Sequence, residues 1–178
     1  MSQRDPLRDA AALRLTTTHW YAAHIRSRHE KRVAEQLTGK NVNFFLPLYQ
    51  AEHRWKDRLA RVDLPLFPGY LFVQIPLRER LRVLEVPGVV RLVSTRGEPV
   101  PLDDGEIDIL QQGLNEKLKA APHPYIKVGT RVRVRAGALA GLEGILVRLK
   151  DTYRVVISVD LIMRSIAVEI SIADVEAL

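Results

Sequence analysis

The 178-residue chain is long enough for one or two domains, and 47% hydrophobic residues suffice for packed cores. It contains no cysteine, which excludes a disulfide framework, a thiolate metal site and a cysteine nucleophile. The net charge is +6, and its excess is concentrated in one segment: residues 26–61 carry nine Lys/Arg against four Asp/Glu (net +5), whereas residues 62–121 carry seven against nine (net −2). The basic segment indicates either contact with a polyanion or a solvated face that keeps the protein soluble.

The chain begins with residues 1–16, in which Arg, Asp, Ala and Leu alternate without a continuous apolar stretch. This composition predicts a disordered tail and argues against a secretory signal. No apolar run in the chain approaches the ~18 residues of a membrane span. We therefore expect a cytoplasmic protein that makes no membrane contact.

The first regular elements are a strand over Trp20 to Ile25 and a helix that follows it. Ser27 and Glu30 have the spacing of a capping box, which predicts the start of the helix, and Gly39 is placed for a left-handed cap at its end. A strand with a proline at position 47 is expected over residues 44–49. Residues 51–63 are polar and basic, and they predict an exposed hairpin connection.

The next elements alternate between strands and helices without a regular βαβ order. We expect a strand over residues 64–74 that is interrupted at Pro68-Gly69, a helix opened by Pro76 and ended by Pro87-Gly88, and a strand over 89–93. A third amphipathic helix follows, preceded by a capping pattern at Asp103 and Glu106. Residues 17–119 therefore predict an α+β domain with an antiparallel sheet flanked by helices.

The C-terminal third of the chain has a different pattern. Residues 120–126 are rich in proline and alanine, which predicts a short, stiff linker. Residues 127–178 contain β-branched runs at 153–159 and 166–170, and they predict an all-β second domain. We expect this domain to be a β-barrel in the full-length chain, because β-branched residues and turn glycines both disfavour a helix.

The sequence contains no recognisable constellation for catalysis. Its five histidines are scattered, and no Asp/Glu cluster completes a metal site. The paired carboxylates Asp103 and Asp104 are accounted for by a helix N-terminus, where negative charge is favourable. There is no nucleophile elbow and no phosphate-binding glycine loop. We therefore expect no enzymatic activity, no metal and no cofactor.

The aromatic residues around positions 20, 44 and 70 have two interpretations. They form the core between the sheet and its helices, or they form a binding surface. Phe67 directly precedes the Pro68-Gly69 bend, and the bend predicts that its ring is exposed at a sheet edge. An exposed aromatic side chain is a good anchor for a protein partner.

Two glycine-bearing motifs occur in a fixed order. The first is Leu66-Phe67-Pro68-Gly69-Tyr70-Leu71-Phe72-Val73, and the second is Lys127-Val128-Gly129-Thr130-Arg131-Val132-Arg133-Val134, followed by glycines at 137, 141 and 144. The first resembles the aromatic hallmark of the NusG N-terminal (NGN) domain, and the second resembles a KOW module. From residue 19 to 178 the chain is similar to the NusG family, and its motifs lean toward a specialised, antiterminator-type member.

The resemblance implies a transcription elongation factor that modulates pausing, termination or antitermination. Its NGN domain would bind the clamp helices of the largest RNA polymerase subunit through an apolar surface: Tyr21, His24, Phe67, Tyr70 and Phe72. Its basic hairpin would lie near the non-template DNA strand of the bubble, with four candidate contacts: Arg54, Lys56, Arg58 and Arg61.

The resemblance also implies that the KOW loop presents an apolar tip to a second partner, either termination factor Rho or a small-subunit ribosomal protein. The candidate residues are Leu139, Leu142, Ile162 and Met163, although the two leucines also suit local packing of the barrel. We expect a monomer. The alternative function is a ribosome-associated KOW protein that binds structured RNA, but residues 127–178 carry eight Lys/Arg against six Asp/Glu, a net of only +2.

Overall fold

The computed structural model of the chain describes residues 12–13, 15–55, 58–115, 120–123, 129–149 and 152–178. The chain forms two compact units, Met1–Leu46 with Gly69–Asp104 and Pro47–Pro68 with Gly105–Leu178. These units divide the chain differently from the predicted domains at 17–119 and 127–178, whose boundaries stay predictions. Within the described part of the chain, no helix has the length and apolar character needed to cross a membrane.

The described residues contain helices mixed with antiparallel strands, followed by an all-β C-terminal region, which confirms the predicted fold class and is consistent with a KOW module. In chain order the elements are β1 (Thr18–Ile25), α1 (Glu30–Gly39), β2 (Asn43–Phe45), β3 (Leu48–Trp55), β4 (Arg58–Pro65), β5 (Tyr70–Pro76), a 3₁₀ turn (Leu77–Glu79), α2 (Arg80–Leu84), β6 (Val89–Leu92), β7 (Ser94–Thr95), β8 (Glu98–Pro99), α3 (Asp104–Asn115), β9 (Ala120–His123), β10 (Thr130–Val134), β11 (Glu143–Leu149), β12 (Thr152–Val159), a 3₁₀ turn (Asp160–Ile162), β13 (Arg164–Glu169), a 3₁₀ turn (Ile172–Asp174) and β14 (Val175–Ala177).

The first unit contains a four-stranded sheet in the order β2-β5-β1-β6. The central pair, β1 and β5, runs antiparallel from Thr18 opposite Pro76 to His24 opposite Tyr70. Side chains alternate along each strand, so one face of this pair packs into the main core together with residues from α1 and α2. The members of this core are Tyr21, Ala23, Ile25, Val33, Leu37, Val42, Leu71, Val73, Ile75, Val83, Val86 and Leu92.

Helix α1 does not begin with the predicted capping box. Its N-cap residue is His29, which makes no side-chain capping hydrogen bond. The Ser27 carbonyl is instead within hydrogen-bond distance of His29 Nδ1, at 3.0 Å. Glu30 is buried and accepts a hydrogen bond from a different part of the chain, so its carboxylate is not available to close the box.

The end of α1 is capped by Asn41 instead of Gly39. Asn41 adopts the left-handed conformation with φ 53°, whereas Gly39 remains inside the helix. The Val42 amide donates to the Leu37 carbonyl at 3.0 Å, and the Asn41 amide donates to the Thr38 carbonyl at 3.0 Å. This pair of bonds is a Schellman motif, and the buried side chains of Val42 and Leu37 supply its hydrophobic contact. Asparagine tolerates the left-handed region better than most residues, which explains how it replaces glycine here.

The predicted hairpin is present but longer than expected. Strands β3 and β4 pair over their whole length, from Leu48 opposite Pro65 to Trp55 opposite Arg58. The predicted strand over 44–49 is therefore broken at Pro47, and most of the segment predicted as a connection is itself strand. Proline cannot donate a ladder hydrogen bond, which explains the break.

The second unit contains a six-stranded antiparallel sheet in the order β14-β10-β11-β12-β13-β9. Between residues 143 and 169 the described chain forms the strands β11, β12 and β13 and one short 3₁₀ turn, and it contains no α-helix there. The first part of the predicted linker, Ala120–His123, forms the edge strand β9 and pairs with β13, while residues 124–128 lie outside the described residues. Pro122 is compatible with this strand because an edge strand needs no hydrogen bonds on its outer side.

The end of the predicted disordered tail is also ordered. Residues 12–13 and 15–16 are helical, and the Thr17 amide donates to the Leu13 carbonyl at 2.8 Å. Residues 1–11 and 14 lie outside the described part of the chain.

Candidate functional site

The five residues predicted to bind polymerase do not share one surface. Tyr21 lies opposite Val73 in the β1–β5 ladder and belongs to the core that faces α1 and α2. His24, Tyr70 and Phe72 occupy alternate positions and lie on the other face of the same sheet. Tyr21 is therefore separated from His24, Tyr70 and Phe72 by the sheet itself.

The expectation that Phe67 is exposed is wrong. Its side chain is 0% exposed, as is that of Phe72, and Tyr21 is 1% exposed. The Pro68-Gly69 bend turns the backbone sharply, but it does not release the preceding ring from the interior. A buried aromatic side chain contributes mainly to packing, so these three residues have the surroundings of core residues.

The remaining two candidates, His24 and Tyr70, form a half-buried ring pair. They lie directly opposite each other in the β1–β5 ladder, with ring centroids 5.3 Å apart and an interplanar angle of 32°. Arg91 is opposite His24 on the neighbouring strand β6 and is exposed, and Arg26 is exposed at the end of β1. The first unit thus presents a partly exposed aromatic pair with a cationic rim.

The turn that precedes Tyr70 is held by a residue that the sequence analysis assigned to a different role. Gly69 has φ +82°, its amide donates to Glu30 Oε1 at 2.9 Å, and its carbonyl accepts from the Ile25 amide at 2.8 Å. Glu30 is 6% exposed. Its spacing from Ser27 suggested a helix cap, and no local pattern in the sequence indicates a bond that spans 39 positions.

The basic hairpin is described only in part. The register places Arg54 opposite Leu59, but the side chains of residues 53–59 and the whole of Lys56 lie outside the described residues. Arg61 is exposed and lies 3.8 Å from the carboxylate of Glu52, its cross-strand neighbour. Three of the four residues predicted to contact DNA, Arg54, Arg58 and Arg61, therefore lie on one hairpin, and their contacts with DNA stay predictions.

The predicted apolar tip of the C-terminal loop is mostly buried. Leu139 and Leu142 are each 3% exposed, Ile162 is 5% exposed, and only Met163 is exposed, at 63%. The loop is closed by local hydrogen bonds, in which the Leu142 amide donates to the Leu139 carbonyl at 3.1 Å. Met163 caps its 3₁₀ turn in the left-handed conformation, with φ 50°.

Helix α3 lies against this loop within the second unit. A Cβ at Gly113 would overlap the Leu139 side chain and would lie 3.2 Å from the Ala138 carbonyl oxygen. A Cβ at Gly141 would lie 3.6 Å from Ile109 Cδ1. Of the two interpretations of the leucines, the structure therefore favours local packing over a binding tip. The absence of a side chain at Gly113 makes room for the side chain of Leu139.

The exposed arginines of β10 are paired with an acid. Arg133 donates to Glu143 at 2.6 Å, and Arg131 donates to the same carboxylate at 3.3 Å. The hydrogen bond from Arg133 holds the pKa of Glu143 below its ordinary value, and the same bond raises the pKa of Arg133. This neutralisation makes the β10 surface less suited to nucleic acid than a surface of free cations.

The comparison with known families decides the assignment. The family described as "Transcription termination factor nusG" matches residues 18–111, more than half of the chain. The chain belongs to the NusG family. The match covers the first sheet, the ring pair and the hairpin, but it ends before the C-terminal β-region.

Relatives and solved structures extend the likeness over most of the chain. The transcription termination/antitermination proteins NusG of Staphylococcus aureus strains Mu50 and N315 are each 27% identical over 176 residues, covering 89% of this chain and 95% of the relative. A solved structure described as "Domain interaction in Thermotoga maritima NusG" matches with a TM-score of 0.60 and 21% identity, covering 91% of this chain and 98% of that one. Together with the family match, the relatives' names support a role in transcription.

Among the described residues, no group of three or more His, Asp and Glu side chains is arranged to hold a metal ion.

We predict that Gly113→Ala lowers the free energy of unfolding by about 1 kcal/mol. Alanine favours a helix by ~1 kcal/mol over glycine, but the methyl group overlaps buried Leu139, and such overpacking costs ~1–3 kcal/mol. Urea denaturation measures the difference. The matched control is Gly39→Ala in α1, where a Cβ meets nothing within 4 Å, and it should be neutral or stabilising. Equal stability of the two variants would show that α3 and the loop do not pack as described.

Proposed function

We propose that this protein binds RNA polymerase through the His24–Tyr70 pair and modulates transcription elongation, pausing, termination or antitermination. The observation that carries the proposal is the partly exposed ring pair on the sheet of a NusG-family chain. A half-buried aromatic pair with a cationic rim offers both apolar area and polar contacts to a protein partner. In this proposal the protein acts by binding, as a cytoplasmic monomer without a cofactor, and not by catalysis.

The proposed polymerase surface differs from the one implied by sequence. Of the five original candidates, His24 and Tyr70 remain as contact residues, because they alone are not fully buried. Tyr21 and Phe72 would support the sheet that presents them, and Phe67 would serve as a buried packing residue. The clamp helices of the largest subunit remain the proposed binding partner, since an apolar pair flanked by arginines suits an amphipathic helix with acidic flanks.

Two further contacts belong to the same proposal. The basic hairpin would lie along the non-template DNA strand, supported by the net charge of +5 over residues 26–61. The C-terminal unit would recruit a second partner, Rho or a small-subunit ribosomal protein, through the exposed Met163 at the end of its 3₁₀ turn. Leu139 and Leu142 would serve this contact by holding the loop and not by direct exposure.

Tyr70→Ala should weaken binding of the full-length protein to core RNA polymerase by roughly 30-fold, as expected for loss of an anchoring aromatic worth ~2 kcal/mol. His24→Ala should act in the same direction. Because both side chains are half-buried, the fold should persist, and the thermal midpoint should change little. The affinity is measured by binding of each variant to surface-immobilised polymerase.

The control for Tyr70→Ala is Tyr49→Ala, the same change at a half-buried tyrosine of β3. It should leave the affinity within about twofold of the unmodified protein. If the Tyr70 and Tyr49 variants bind polymerase equally well, the ring pair is not the contact and the proposed function loses its site.

The double variant Lys56→Ser/Arg58→Ser should flatten the salt dependence of binding to an elongation complex that contains the DNA bubble. Each lost phosphate contact changes the log–log slope by about one unit, so the expected change is about two units. The matched control, Arg131→Ser/Arg133→Ser, removes the same charge from a surface already paired with Glu143 and should leave the slope nearly unchanged. Equal salt slopes for the two double variants would show that the hairpin is only a solvated surface and does not contact nucleic acid.

A further inference from the structure

We propose that Glu30 is a positioning residue for the His24–Tyr70 pair: its buried carboxylate holds the Pro68-Gly69 turn from which Tyr70 emerges. This inference rests on the proposed function of the pair, but the contact itself is a property of the free protein. It assigns a role to a residue that lies in a different element from the rings it orients.

The burial of Glu30 requires an explanation. Among the described residues that are buried, it is the one acidic or basic side chain, at 6% exposure. A carboxylate removed from water is unfavourable unless hydrogen bonds replace its hydration. Here the first turn of α1 supplies the positive end of a helix dipole, and the Gly69 amide supplies a direct bond at 2.9 Å. Both are favourable partners for a carboxylate at this position.

The hydrogen bond from Gly69 to Glu30 acts on the residue whose backbone conformation forms the turn. Gly69 has φ +82°, which strongly favours glycine, and both of its backbone groups are fixed. Its carbonyl accepts from Ile25 in β1, and its amide donates to Glu30 in α1. The carboxylate thus ties the turn to the helix, while the carbonyl ties it to the strand that carries His24.

The turn adjoins both residues of the pair, Tyr70 through the chain and His24 through space. Tyr70 directly follows Gly69 in the chain, and a Cβ at Gly69 would lie 4.0 Å from His24 Cδ2. A shift of the turn by a fraction of an ångström therefore changes the position of Tyr70 relative to His24. Because interface anchors depend on their geometry, loss of the Glu30 bond should reduce partner affinity without removing any contacting atom.

The test compares Glu30→Met with Glu30→Gln in the full-length protein. Methionine keeps the length, the helix propensity and the packing volume but offers no oxygen acceptor, whereas glutamine keeps an amide oxygen for Gly69. We expect Glu30→Met to weaken binding to core RNA polymerase about tenfold and to shift the Gly69 amide proton resonance of the free protein upfield. Glu30→Gln should restore most of the polymerase affinity and most of the original Gly69 resonance position.

The matched control is Glu35→Met, the same substitution at an exposed position of α1. It should change neither the affinity nor the Gly69 resonance. The resonance reports the Glu30–Gly69 bond itself, since general destabilisation does not single out one amide. A merely structural role would not make the affinity and the Gly69 resonance change together in Glu30→Met and recover together in Glu30→Gln.

The outcomes separate this inference from the proposed function. If Tyr70→Ala weakens polymerase binding but Glu30→Met binds normally, with an unchanged Gly69 resonance, the positioning role is wrong and the proposed function stands. If Tyr70→Ala has no effect on binding, the proposed function is wrong, and with it the link between Glu30 and polymerase. Loss of affinity in Glu30→Met that Glu30→Gln fails to restore would also overturn the hydrogen-bond role.

Discussion

The register between β1 and β5 determines both the core of the first unit and the position of its candidate site. Direct pairing of Tyr21 with Val73 places one set of side chains against α1 and α2, and pairing of His24 with Tyr70 places the next set on the opposite face. A slip of one residue would exchange the two sets. Apolar burial on the helical face therefore fixes where the ring pair lies, although neither ring belongs to that core.

The turn between β4 and β5 carries the second constraint. A glycine with positive φ is needed where the chain enters β5, and its backbone amide needs a hydrogen-bond acceptor as partner. Glu30 supplies that partner from α1. The same few residues thus connect helix, turn and sheet, which is why the sequence around Pro68-Gly69 is both structural and, in our proposal, functional.

The order of strands and helices could be predicted because it depends on local patterns. Runs of β-branched residues identify β12 and β13, and the signals at Pro76 and Pro87-Gly88 bracket the segment that contains α2. The errors concern contacts between distant positions. The exposure of Phe67 and of the leucines at the loop tip depends on what packs around them. Asn41 replaces Gly39 as the cap because the helix continues through Gly39. The role of Glu30 depends on a partner 39 positions away, which one sequence does not indicate.

The division of the aromatic residues into a buried support and a half-exposed pair is tested most directly by unfolding Phe67→Ala in urea while its polymerase affinity is measured. With a ring that is 0% exposed, the substitution should lower the free energy of unfolding by ~3–5 kcal/mol, the usual cost of truncating a core phenylalanine. A variant that keeps its full stability but loses polymerase binding would contradict this account, because Phe67 would then be a surface contact.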